Sequence, residues 1–243
     1  MRKFIATAAI VAASASTGAC GRMHQENAGP TVSRNYQVGN FHEIEVAGPY
    51  DVNVRTGSNV AVSAEGPQKI LDHAVVEVEG DKLVIRSENH VSLFSWGFGS
   101  HGKTVFTVTV PQLRAATMAG SGDLNIDKVQ GDQFEGKMAG SGDLGVGSLN
   151  VQSLKLAMAG AGDTKIGSGQ AQNAEYKIVG SGDIDAPGVN TQQLTVSIAG
   201  SGNIRAHATG AAEVTIMGSG DVEVSGGAKC TVTKHGSGDV RCS

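Results

Sequence analysis

One carboxylate recurs through the second half of the chain inside a fixed glycine motif. Gly-Ser-Gly-Asp stands at 120–123, 140–143, 180–183, 218–221 and 236–239, with Gly-Ala-Gly-Asp at 160–163 and Gly-Ser-Gly-Asn at 200–203. If the copies stack, Asp123, Asp143, Asp163 and Asp183 form a ladder, continued by Asn203, Asp221 and Asp239. Hard oxygen ligands so spaced suit Ca²⁺, as in calcium-binding β-rolls. The competing role is a turn aspartate whose oxygens accept backbone N–H groups of its own glycine bend. Asn203 keeps the acceptor and drops the charge, and the nonapeptide pattern of calcium β-rolls is absent. The turn role is therefore favoured, and neither a metal nor any other cofactor is assigned. The motif serine is no nucleophile either: Ala161 replaces it once, and no Gly-x-Ser-x-Gly elbow occurs.

Other candidates lie before the repeats. Residues 97–104, Gly-Phe-Gly-Ser-His-Gly-Lys-Thr, match the phosphate-loop pattern. That chemistry needs a helix after the loop, so that its N-terminus faces the phosphates. Val105 to Val110 instead reads as a strand. Leu93 and the aromatic Phe94, Trp96 and Phe98 gather in a glycine-rich insertion. Exposed, Phe94, Trp96 and Phe98 would stack on sugar rings or a partner surface; folded inward, they would cap an end of the core, the favoured expectation. The histidines at 24, 42, 73, 90, 101, 207 and 235 show no metal-ligand spacing, although His90 and His101 flank the aromatic loop.

The elements that must carry these residues follow from the repeat. Motif starts are separated by 20, 20, 20, 20, 18 and 18 residues. Two places before each first glycine stand Met118, Met138, Met158, Ile178, Ile198 and Ile216, then Lys234. After the aspartate come Leu124, Leu144, Thr164, Ile184, Ile204, Val222 and Val240, and two residues on Ile126, Val146, Ile166, Ala186, Ala206, Val224 and Cys242. A further column, six residues before each later motif, holds Phe134, Leu154, Ala174, Leu194, Ala212 and Cys230. These alternate with polar positions, the period of half-buried strands. Such a unit cannot bury its apolar face alone, so the copies must stack.

Stacking also makes sense of an outward column: Asn125, Gly145, Lys165, Asp185, Arg205, Glu223, Arg241. Its charges alternate from Lys165 onward, as in-register strands about 4.8 Å apart require. The fold class is all-β: a parallel β-helix or β-solenoid, with regular 18–20-residue repeats from about residue 114 and irregular β rungs before them. Among the latter, Val75–Glu79 and Lys82–Arg86 flank Gly80-Asp81, a two-residue hairpin turn. Glu43–Val46, Asp51–Val54, Val60–Ala64 and Thr104–Val110 are further strands, forming first rungs or a cap of the same solenoid.

The run Phe41-x-x-Ile44-x-Val46-x-Gly48-x-Tyr50-Asp51-Val52, the strand leading to Pro111-x-Leu113 and the Gly-Ser-Gly-Asp units together resemble the family described as "putative auto-transporter adhesin, head GIN domain", over about residues 41–240. The resemblance implies a right-handed β-helix on a bacterial envelope protein and brings no catalytic residues. No membrane-barrel segment of the auto-transporter kind is expected after Ser243.

Export is legible at the start. Arg2-Lys3, the apolar stretch Phe4–Ala15 and small residues after it read as a signal peptide within 1–20. Thr17-Gly18-Ala19-Cys20 resembles a lipobox, which would lipidate Cys20; ordinary cleavage after Ala15 or Ala19 is the alternative. Residues 21–40 read as a polar tether and 41–243 as the solenoid. Cys230 and Cys242 then remain as an even pair, expected as a disulfide, with two buried free thiols as the alternative. Thirty-five of 243 residues are glycine, without the three-residue period of collagen. The net charge of −4, or −6 once Arg2 and Lys3 are removed, argues against a nucleic-acid partner. No apolar run reaches the roughly 18 residues of a membrane span, so membrane contact is expected only through an N-terminal lipid.

The expectation is a non-catalytic cell-envelope module, outer-membrane lipoprotein or periplasmic, that adheres, binds or scaffolds. Its partner would be a cell-surface glycan or an envelope protein. A carbohydrate-active β-helix enzyme is the alternative, but it needs a distinct carboxylate pair in one groove, which a uniform column does not supply.

Overall fold

A computed structural model describes residues 29–88 and 103–243. The chain forms a β-solenoid of about six turns, 72% strand and 2% helix. From β8 (Ala115–Gly120), β9 (Leu124–Gln130) and β10 (Gln133–Gly140) onward, each turn lies on the previous one in parallel register. β11 (Leu144–Gly160), β12 (Thr164–Gly180), β13 (Ile184–Gly200) and β14 (Ile204–Gly218) are each a nearly continuous rung. β15 (Val222–Ser225), β16 (Lys229–Gly236) and β17 (Val240–Cys242) close the stack.

Register follows the sequence columns. Met118, Met138, Met158, Ile178, Ile198 and Ile216 pair rung to rung, as do Leu144, Thr164, Ile184, Ile204, Val222 and Val240. All but Val240 in these two columns are buried. Burying one Leu, Ile or Met side chain contributes about 1.5–3 kcal/mol, so the columns supply the driving force for stacking. A further inward column, Gly136, Leu156, Tyr176, Val196 and Val214, complements the one beside it in size. Phe134 sits with Gly136 in one rung, and Ala174 with Tyr176 two rungs later. Interior volume is thus kept while the bulky residue changes column.

Two repeats are shorter by two residues, and the loss is absorbed away from the motif. Between β13 and β14 the register shifts between Ala186/Asn190 and between Thr191/Gln193, whereas Gly200 still pairs with Gly218. The glycine corner fixes the alignment, and the opposite side of the rung takes up the slack.

The N-terminal half reorders the chain. β2 (Glu43–Gly48) and β3 (Asp51–Thr56) pair in parallel with β8 and β9 on one side, and with β6 (Lys82–Ser87) and β7 (Val105–Val110) on the other. The end is closed by antiparallel strands: β5 (Ala74–Glu79) on β6, β4 (Ala61–Pro67) on β7, and β1 (Thr31–Tyr36) on β4, with α1 (Gln68–Asp72) inserting Leu71 into the core. Glu79 pairs with Lys82 across the expected Gly80-Asp81 hairpin turn. Residues 31–36 correct the expected tether over 21–40: they are a strand. Val32, Arg34 and Tyr36 alternate too weakly in hydropathy to signal it, yet Tyr36 packs on Phe106 at a ring separation of 6.1 Å and Arg34 donates to the Leu71 carbonyl at 2.9 Å.

The far end is closed covalently. Cys230 and Cys242 form a disulfide, each terminating one inward column of the last rung. Lys234 ends the Met/Ile column, with its ammonium 3.9 Å from Asp239. An inward-pointing charge on a terminal strand opposes pairing with another sheet edge.

Two outcomes test this packing. The Tyr176 hydroxyl is buried without a hydrogen-bond partner among the described residues, and burial pushes its pKa up. Tyr176→Phe is therefore expected to raise unfolding stability by about 1 kcal/mol in denaturant titration. Replacing both Cys230 and Cys242 with serine opens a loop of 12 residues' separation; it should cost up to about 3 kcal/mol and show first as protease cleavage in the last rung.

Candidate functional site

The Gly-Ser-Gly-Asp bends stack into a ridge along the solenoid, and their chemistry follows from the backbone. Where the chain turns between rungs, the ladder of N–H to C=O bonds loses its regular geometry. The aspartate N–H of each rung then donates to the carboxylate of the previous one. Asp143 N–H reaches Asp123 Oδ1 at 3.3 Å, Asp163 reaches Asp143 at 2.9 Å, and Asp183 reaches Asp163 at 3.3 Å. Asn203 N–H donates to Asp183 Oδ1 at 2.8 Å, Asp221 to Asn203 Oδ1 at 3.1 Å, and Asp239 to Asp221 at 2.8 Å. In return, the aspartate carbonyl accepts the N–H following the aspartate below, as in Leu124 N–H to Asp143 O at 2.8 Å. The expected role as backbone acceptor thus takes another form: the donor belongs to the next rung, not to the residue's own bend.

The motif glycines are dictated by the same contact. A Cβ on Gly140 would lie 2.1 Å from the Gly120 carbonyl oxygen, and one on Gly142 would lie 1.9 Å from that of Gly122. Gly140 also has φ +135°, in the region that L side chains avoid. The second motif position points outward, which is why Ser141, Ala161 and Ser181 interchange there.

The structure adds a copy that sequence reasoning missed. Gly48 pairs with Gly120, and Asp51 Oδ1 accepts the Asp123 N–H at 3.2 Å. Gly48-Pro49-Tyr50-Asp51 is therefore the first bend of the ridge, although 72 residues separate it from the next. Lys103 and Lys234 lie near the two ends of the carboxylate column, 3.5 Å from Asp51 and 3.9 Å from Asp239, and Lys165 lies 3.5 Å from Asp163.

Beside the ridge, the outward charged column is in the expected register: Lys165, Asp185, Arg205, Glu223 and Arg241 pair successively. Arg205 grips Asp185 through two hydrogen bonds of 3.0 and 2.9 Å, and this pairing raises the guanidinium pKa. The two columns line a shallow groove of about 360 Å³. Within it Arg205 and Asp185 are paired with each other.

For Ca²⁺, the aspartate column supplies little. From Asp51 to Asp221 one oxygen of each ridge carboxylate is already an acceptor, whereas Ca²⁺ takes six to eight oxygen ligands. Among the described residues no group of three or more His, Cys, Asp or Glu is placed to hold a metal ion. The described histidines are dispersed: His42 meets Asp81 at 2.7 Å, and His207 meets Ser225 at 3.0 Å. Thr104 runs directly into β7, so the helix a phosphate loop needs is missing there. Phe94, Trp96 and Phe98, with His90, His101 and Cys20, lie outside the described residues.

The ridge makes a graded prediction. Asp143→Asn, which keeps the acceptor, is expected to stay within about 0.5 kcal/mol of wild type, and Asp143→Ala to lose about 1–2 kcal/mol. Gly142→Ala, which forces a side chain against the rung below, should cost about 4 kcal/mol or more. Denaturant unfolding with and without calcium measures all three, and wild type should unfold alike in calcium and in chelator.

Comparison with known proteins agrees with this architecture. A crystal structure described as a "putative adhesin" from Bacteroides fragilis superposes with a TM-score of 0.80 at 23% identity, covering 88% of this chain and 97% of that one. Two from Parabacteroides distasonis, a "putative adhesin" and a "putative lipid binding protein", each give 0.69, at 22% and 23% identity, covering 89% and 88% of this chain and 98% and 97% of theirs. At such identity the likeness establishes the fold. No curated protein matches the chain. The family model described as "Putative auto-transporter adhesin, head GIN domain" matches residues 40–228, and the chain belongs to that family.

Proposed function

We propose that the protein is a non-catalytic module of the bacterial cell envelope that presents its solenoid surface to a binding partner. The observation that carries this reading is the equivalence of the ridge carboxylates. From Asp51 to Asp221 each of them accepts the N–H of the next rung in the same way, so none of these is set apart as acid, base or nucleophile. Catalysis by paired carboxylates needs two groups in different environments flanking one bond. The remaining surface is long, regular and shallowly grooved, which suits extended contact with a partner better than enclosure of a small substrate. The family's adhesin description points the same way. The basic, apolar and small-residue segments of 1–20, ending at Cys20, support export and a lipid anchor.

Protease shaving of intact cells tests the adhesive form of this reading, with an antibody against the solenoid and a periplasmic control protein. Digestion of the solenoid while the control survives is the expected result. Protection until the outer membrane is broken would rule out direct adhesion and leave a periplasmic binding or scaffolding module. Release of reducing ends from polysaccharide by the purified protein would overturn the non-catalytic reading itself.

A further inference from the structure

On the side of the rungs away from the glycine ridge, one patch has an unusually uniform chemistry. In β11, β12 and β13 the outward positions 150, 152 and 153, 170, 172 and 173, and 190, 192 and 193 carry an amide in eight of nine cases, the exception being Ser153. Outward positions of a solenoid tolerate any polar residue, and elsewhere this chain fills them with Lys, Glu, Asp, Arg, Thr and Ser. Asn150, Gln170 and Asn190 stand in register as one wall of a groove of about 360 Å³, with Gln152, Gln172 and Gln192 as the other. Its floor is made by Val151, Ala171 and Thr191, which are 6%, 5% and 2% exposed.

Stacked amides have a structural use of their own, because Asn and Gln ladders can bond along a β stack. Here they do not: none of these side-chain amides hydrogen-bonds another or any described residue. Each therefore presents a donor pair and an acceptor to solvent. The groove carries no charged side chain, which removes the attraction a phosphate, nucleic acid or acidic peptide would need. It also lacks the large apolar anchors of a protein hot spot. What it offers is a strip of neutral, bidentate donors and acceptors over a narrow apolar floor, repeated every rung at about 4.8 Å. That spacing is close to the length of one pyranose residue in an extended chain, whose hydroxyls are donor and acceptor at once and whose ring C–H face is apolar.

We infer that this amide groove binds a neutral polysaccharide strand running along the solenoid axis, about one sugar per rung. The inference rests on the binding-module reading above and names its site and ligand class.

The test uses the purified exported domain with its disulfide intact. It measures retention on immobilised dextran, mannan and xyloglucan, with polygalacturonate as the charged comparison. The expected result is saturable binding to at least one neutral polymer, weakened about tenfold or more in Gln170→Ala/Gln172→Ala/Gln192→Ala. Asp185→Ala/Arg205→Ala, in the separate charged column, should bind like wild type, and circular dichroism should show both variants folded. No binding to the neutral polymers, or equal binding by the triple variant, overturns the inference. So does dimerisation that the triple variant abolishes, which would assign the amides to a second copy of the chain. Cell adhesion that survives the triple variant would leave the module reading standing and remove only this site; release of reducing ends from these polymers by wild type would remove the reading itself.

Discussion

A solenoid has to turn a corner at every rung, and at that corner the backbone cannot bond to the rung below by strand geometry alone. In this protein the gap is bridged by a carboxylate oxygen of one rung accepting the N–H of the equivalent residue on the next, from Asp51 to Asp239. An unmade bond of this kind would cost about 1–3 kcal/mol wherever the group is shielded from water, and it would recur at each corner. The bridging oxygen also fixes distance: the two bends must approach until their carbonyls leave no room for a Cβ, hence the two glycines. The apolar columns, the charge alternation and the amide groove all inherit their register from this ridge. The shortened repeats show the dependence most clearly, since their missing residues are taken from the opposite side while the bends stay aligned.

The close approach has an electrostatic cost, because it stacks carboxylates one rung apart. Several features offset it. Each carboxylate from Asp51 to Asp221 accepts an N–H dipole, Asn203 interrupts the row, and lysines lie beside Asp51, Asp163 and Asp239. The same residues that invite a calcium reading are thereby accounted for as parts of the scaffold. Stability resides in the ridge and the interior columns, and the outward faces are left free to vary in chemistry.

Much of this was legible in the sequence because a parallel stack turns sequence period into spatial contact. The interior columns and the Lys165–Arg241 alternation could be read directly, since pairing with the next rung means pairing with the residue 18 or 20 places on. Legibility failed where the period failed. Gly48-Pro49-Tyr50-Asp51 is a true bend, but its lower neighbour is the chain at Thr104 rather than another bend, where Asp51 N–H bonds the Thr104 carbonyl. The steric demand for a second glycine is lifted there, and Tyr50 packs edge-on against Phe106 instead. Strand β1 was hidden for a related reason: it is an antiparallel edge with one half-buried face and little hydrophobic contrast. Nor could the ridge donors be identified, because a single repeat does not reveal whether an aspartate serves its own bend or the next.

The structural role of the ridge and the binding role inferred for the amide groove divide the molecule between a side that holds the rungs and a side proposed to meet a partner. The division rests on the claim that each ridge carboxylate is held by its neighbour's N–H. Amide hydrogen exchange in Asp143→Ala, compared with wild type, tests it most directly. The account predicts faster exchange at the Asp163 amide, which loses its acceptor, with the backbone amide at position 143 still protected by Asp123. Unchanged protection at Asp163, or protection in wild type that depends on added calcium, would contradict it.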